Sequence, residues 1–181
     1  EDLREGFYQL SVHSGDPGIR DLEGLALDGD GDGVGGDDFR ATCLVDYAAP
    51  QVVSATLDAS GVVVTIADLG GMDHVRMTNA AHYRLVASGG DGTLGNANDV
   101  TIAIENIAWQ STEYGYEQAV LSFASPLEAE RYRLTVDGTD GVRDLYGRDL
   151  SGGDYTKDFH YFGGPTQFVL DLPTELDTGI S

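Results

Sequence analysis

Apolar and polar residues trade places along this chain with the period of a half-buried strand. Tyr132, Leu134 and Val136 fall on one face of an alternating run, and Arg131, Arg133 and Thr135 on the other. Val62, Val64 and Ile66 repeat the pattern, and Val100-Thr-Ile-Ala-Ile104 groups Val100, Ile102 and Ile104. Strands are predicted over 8–12, 40–47, 51–57, 61–67, 82–87, 99–104, 118–123, 131–137 and 158–162. No segment sustains an apolar period of 3.6 residues, so helix is expected only as single turns, as at 77–81. The links are polar and rich in glycine, which occurs 25 times. About seven short strands in one domain predict an all-β chain folded as an antiparallel β-sandwich, with a closed barrel as the alternative.

The pattern occurs in two copies. Tyr8-Gln-Leu-Ser-Val12 reappears as Tyr132-Arg-Leu-Thr-Val136, and Gly18-Ile-Arg-Asp-Leu-Glu-Gly24 as Gly141-Val-Arg-Asp-Leu-Tyr-Gly147. Each copy passes through an Asp/Gly-rich loop and an Asp-Phe step (Asp38-Phe39, Asp158-Phe159), then ends at a proline, Pro50 or Pro165. A period of this size suits a whole small domain rather than a solenoid unit. The expected organisation is a tandem array: 1–49 closing one domain, 50–165 a complete one, and 166–181 opening a third or serving as a linker strand. In that reading 1–49 needs completing, with three alternatives: an upstream domain outside this sequence, packing onto 50–165, or a strand added by 166–172 of a neighbouring subunit, head to tail, which propagates into a filament.

Charge narrows the partners. Against 31 acids stand 10 bases, a formal charge of −21. Such a field repels nucleic acid and anionic membrane surfaces and attracts divalent cations; it also suits a high-salt habitat. No uninterrupted apolar stretch is long enough to cross a bilayer. The one cysteine, Cys43, sits in an alternating run and is expected as a small buried hydrophobe.

Candidate chemistry lies in the acidic loops. Asp28, Asp30 and Asp32 alternate with glycine, which lets the backbone curl until carboxylates converge. Calcium takes six to eight oxygens at roughly 2.3–2.6 Å. The opening Asp-x-Asp-x-Asp-Gly matches the start of an EF-hand loop, but the twelfth position is Phe39 rather than Glu. Asp37 and Asp38 are then the closing carboxylates. Five carboxylates within eleven residues disfavour joint ionisation without a counterion. A second candidate loop offers Asp91, Asn96, Asn98 and Asp99; the alternative there is a hairpin with Asn and Gly in turn positions. Asp144 reads as a turn-former whose carboxylate bonds backbone N–H groups.

Catalytic signals are weak. His13, His74, His82 and His160 show no zinc spacing, and there is no Gly-x-Ser-x-Gly elbow. No catalytic residue and no enzymatic activity are expected. Trp109, Tyr114 and Tyr116 read either as a sugar-stacking strip or as packing and edge anchors.

The run Gly141-Val-Arg-Asp-Leu-Tyr-Gly-Arg-Asp-Leu150 resembles the end of a bacterial Ig-like domain of the surface-layer type, with Arg148 where that pattern usually has Asn. Asn79-Ala-Ala-His-Tyr-Arg-Leu85, Leu127–Val136 and the Gly90–Asp99 loop resemble further motifs of the family. The resemblance covers 51–164 fully and 1–50 partly. It implies an extracellular or cell-surface array of sandwiches, with calcium in loops or at domain junctions, acting as stalk, adhesin or lattice. The expected partners are neighbouring repeats or subunits. The alternative reading is a carbohydrate-binding accessory domain of a secreted hydrolase, with surface glycans as ligand.

Overall fold

The computed structural model describes residues 2–15, 17–112 and 114–163. Asp16, Pro165 and the expected third segment, 166–181, lie outside them. The described residues form ten strands: β1 (Gly6–Val12), β2 (Phe39–Val45), β3 (Gln51–Asp58), β4 (Gly61–Ala67), β5 (Tyr83–Ala87), β6 (Val100–Ile102), β7 (Ile104–Ser111), β8 (Glu117–Phe123), β9 (Glu130–Val136) and β10 (Tyr155–Tyr161). Helix is confined to α1 (His74–Met77) and a 3-10 turn at Ala80–His82, each started by a side chain, Asp73 or Asn79, that accepts the exposed backbone N–H groups.

Strands β3 to β10 make an antiparallel sandwich. One sheet runs β3-β4-β8-β7 and the other β10-β9-β5-β6. The alternating residues meet between them. Val62, Val64 and Ile66 of β4, Leu121 of β8, Leu85 of β5, and Leu134 and Val136 of β9 are all 0% exposed. Among the described residues both sheets stay open at their edges, so they form a sandwich and not the closed barrel of the alternative.

One strand escaped the sequence pattern. β7 pairs with β8, but its register shifts between Ile104 and Asn106. That irregularity puts the inward positions three apart, at Ile104 and Ile107, and erases the alternation. The run 99–104 is also not one strand. β6 pairs with β5 and β7 with β8, so the chain changes sheets at Ala103.

β1 and β2 form a two-stranded sheet of their own. The register, Tyr8 opposite Cys43, Leu10 opposite Ala41 and Val12 opposite Phe39, gathers those six residues on one apolar face. No second sheet covers this face among the described residues. Leu10 is 57% exposed where its counterpart Leu134 is 0%. Cys43, expected to be buried, is exposed for the same reason.

The two closing hairpins nevertheless share their hydrogen bonds. Tyr8 Oη donates to the Arg4 carbonyl and Tyr132 Oη to the Glu128 carbonyl, each four residues back. Asp21 Oδ1 accepts from Glu23 N and Leu25 N, as Asp144 Oδ1 accepts from Tyr146 N and Arg148 N. Ser14 N donates to Asp38 Oδ1, as Gly138 N donates to Asp154 Oδ1. Asp38 therefore corresponds to Asp154, not Asp158. Consistently, Phe39 sits opposite Val12 as Tyr155 sits opposite Val136. The first copy is seven residues longer in this loop: ten residues separate Leu27 from Asp38 (28–37), but only three separate Leu150 from Asp154 (151–153). The acidic cluster lies in that extra length.

Candidate metal centre and the acidic group around Arg148

The 28–37 loop closes on itself through its own carboxylates. Asp28 accepts from Gly31 N at 2.8 Å and Gly33 N at 2.9 Å, one with each oxygen. Asp30 Oδ1 accepts from Asp32 N at 3.1 Å, and Asp32 Oδ1 from Val34 N at 2.7 Å. Asp37 Oδ2 returns to Gly29 N and Asp30 N. Gly31 and Gly33 take φ of +78° and +92°, so the alternating glycines are needed for the curl. Asp28, Asp30, Asp32 and Asp37 each bring an oxygen within 4.8 Å of the others, with Asp28 and Asp37 half-buried and Asp30 and Asp32 exposed. Four convergent carboxylates on a curled backbone are a donor set of the kind hard cations take.

Asp38 stands apart from this group. It bonds Ser14 N and His13 Nδ1, and these contacts, the backbone one foremost, hold its carboxyl below the usual range. In the second loop, Asn96 and Asn98 both donate amide protons to Asp91 Oδ2, while Thr93 N bonds Asp91 Oδ1. The Thr93 bond first, then the amides, lower the Asp91 pKa. Asp99 Oδ2 accepts from Gly95 N, and its Oδ1 is buried without a partner. The structure thus brings together four of the expected ligands. It gives the other five to His13, to backbone N–H groups or to one another.

A second acidic group went unread in the sequence because its members come from three segments. Asp46 on the linker after β2, Asp68 after β4 and Asp144 in the closing turn bring oxygens within 4.8 Å of one another. The side chains of Asp46 and Asp144 are 1% and 0% exposed. Arg148 lies among them, its Nη1 at 3.0 Å from Asp46 Oδ2 and 2.6 Å from Asp144 Oδ2. Asp144 is the turn-former expected; its oxygen toward Arg148 is the surplus.

Asp68 is the strained member. Its Oδ2 accepts from Gly70 N, but its Oδ1 is buried with no partner among the described residues. Burial first, and then the charges of Asp46 and Asp144, push its pKa up from 3.8. The native protein therefore holds this proton more tightly than the unfolded chain, so stability falls as pH rises from about 4 through the raised value. Asp68→Asn should melt higher than the parent at pH 7 and lose that part of the pH dependence. Thermal melts from pH 4 to 8 check this; an Asn variant melting lower across the range contradicts it.

Of the three aromatic residues, Tyr114 and Tyr116 are exposed, and Trp109 is partly engaged. Trp109 lies beneath the His74 ring, centroids 3.9 Å apart, and its Nε1 donates to Glu117. Glu117 also accepts from Met72 N at 2.8 Å and bonds His74 Nε2 at 2.7 Å. Trp109 is thus anchored at the end of the sandwich by His74 and Glu117, while 40% of it stays exposed. Glu117→Ala leaves Met72 N and Trp109 Nε1 unpaired and should cost about 1–3 kcal/mol by denaturant titration.

No protein-family model matches the chain, and no curated protein does. Among solved structures, the N-terminal part of the bacterial S-layer protein SbsC is similar over 63% of this chain and 24% of that one, at 15% identity and a TM-score of 0.41. Domains 1–6 of surface layer protein SbsC are similar over 66% of this chain and 14% of that one, at 16% identity and a TM-score of 0.44. The chain spans about a quarter of the length of the first and less of the second.

Proposed function

We propose that this chain is a structural module of a large repetitive protein at the cell surface or outside the cell. In this reading it is built from tandem Ig-like sandwiches, has no catalytic role of its own, and is stiffened by calcium. The observation that carries it is the recurrence of one closing hairpin in 6–45 and 130–161, with the same tyrosine, Asp-turn and Asp-loop hydrogen bonds in both. Residues 1–49 are then the closing part of one repeat and 50–165 a complete one. The strand orders β3-β4-β8-β7 and β10-β9-β5-β6 support the Ig-like assignment, being the A-B-E-D and G-F-C arrangement with a strand added beside C. The Tyr132 bond to a backbone carbonyl at the start of the sixth strand in that order (F) supports it too.

Calcium belongs to the Asp28, Asp30, Asp32 and Asp37 loop. Oxygen donors alone, four of them carboxylates, suit a hard cation. Neighbouring repeats are the partners. A glycan-binding role has less support, because the one tryptophan is occupied by His74 and Glu117. Immunogold labelling of intact cells, with protease shaving in parallel, tests the placement. Surface label that shaving removes is expected; label seen only after the cells are broken contradicts the reading.

A further inference from the structure

We propose that Arg148 is the built-in cation of the joint between the two units, fixing the 46–49 linker against the 50–161 sandwich in the place a divalent ion would otherwise take. The proposal rests on reading 6–45 and 50–161 as two units.

Buried carboxylates that approach this closely disfavour joint ionisation unless a positive group sits among them. The Arg148 guanidinium supplies it. Its Nη1 donates to Asp46 Oδ2, Asp144 Oδ2 and the Ala48 carbonyl, and its Nη2 to the Asp46 carbonyl. Two carboxylates and two linker carbonyls are the donors a hard cation collects. Here they are taken by a planar fork that also fixes direction. The two bonds to linker carbonyls hold the linker backbone itself, so the guanidinium determines where that backbone runs as well as balancing charge.

The sandwich side is rigid. Asp144 Oδ1 holds Tyr146 N and Arg148 N, which sets the turn from which the arginine projects. The Tyr146 ring lies 5.1 Å from the guanidinium carbon. Gly70 comes so close that a Cβ there would sit 2.5 Å from Asp46 Oδ2. Ser151 N bonds the carbonyl of Pro50, the first sandwich residue after the linker.

The latch is not part of the repeated hairpin. The shared turn places Leu25 where the second copy has Arg148. The register aligns Val45 with Tyr161, so Phe162 stands where the first copy has Asp46. The turn therefore closes without an arginine, and a hairpin ends without an aspartate. The pair is a feature of this seam.

A distance measurement between spin labels tests the proposal. One label goes on Cys43, which is exposed on β2, and the other on Ser125→Cys, exposed at the far end of the sandwich. The doubly labelled protein should give one narrow distribution in millimolar calcium and the same one in EDTA. Arg148→Gln should lose the narrow peak in EDTA. Asp46→Asn removes one carboxylate but keeps both linker carbonyl bonds, so it should broaden the peak less than Arg148→Gln does, while leaving the Asp144 turn and the melting of the sandwich unchanged; it guards against local unfolding in the arginine variant. A parent distribution that broadens in EDTA means that a metal holds the joint, and overturns the proposal. So does a narrow peak kept in both variants. If calcium does not bind the 28–37 loop, that appears as an absent calcium shift in melting temperature and leaves these widths untouched.

Discussion

Leu134→Ala should cost about 2–5 kcal/mol of folding stability, and Leu10→Ala, at the matching place in the other copy, should leave the same transition within about 0.5 kcal/mol. The two residues share a strand position and a cross-strand pattern, but not an environment. Leu134 is 0% exposed, packed between the sheets beside Leu85 and Leu121. Cutting it back removes buried apolar surface and leaves a cavity that a well-packed interior closes only in part. Leu10 already faces solvent, so its truncation opens none. Trp109, the one tryptophan, lies in the sandwich and reports its unfolding in denaturant. Equal losses for the two variants would mean that the first hairpin is packed against the sandwich core.

Calcium should raise the melting temperature. A ligand that binds only the folded state adds about 2.7 kcal/mol at a hundred times its dissociation constant. The contribution comes from relieving repulsion among Asp28, Asp30, Asp32 and Asp37, whose turn bonds hold them together with or without an ion. Asp30→Asn separates the two effects, because the Asn oxygen can still accept from Asp32 N while the charge is gone. Melts followed by circular dichroism, in millimolar calcium and in EDTA at matched ionic strength, read the difference. The variant should match or exceed the parent in EDTA and lose most of the calcium shift. Identical parent midpoints in the two buffers would remove calcium from the account.

Much of the sandwich was legible because its strands keep a strict period of two. Val62, Val64 and Ile66, and Tyr132, Leu134 and Val136, are buried as that alternation demands. β7 was missed because its irregular register moves Ile107 out of phase with Ile104. The turn role of Asp144 was readable from local sequence, since its bonds reach only two and four residues ahead. The seam was not. Asp46, Asp68 and Asp144 meet only once three segments have folded together, and no spacing along the chain records that. Asp38 looked like a ligand by proximity in sequence, but the hairpin register turns it toward Ser14 and His13. Cys43 failed in a different way. Its alternation is real, but the face it shares with Tyr8 and Leu10 has no opposing sheet among the described residues.

The hairpins within 6–45 and 130–161 share one set of hydrogen bonds in two settings, open in the first and covered in the second. Native-state amide hydrogen exchange tests it most directly, read at the β1 amides that bond β2 and the β9 amides that bond β10; these ladders match and differ in what lies over them, while β9 also pairs with β5. The β9 amides should be among the slowest in the protein, exchanging only when the sandwich unfolds. Those of β1 should exchange orders of magnitude faster, through local opening of the hairpin. Equal protection of the two strands would contradict the account.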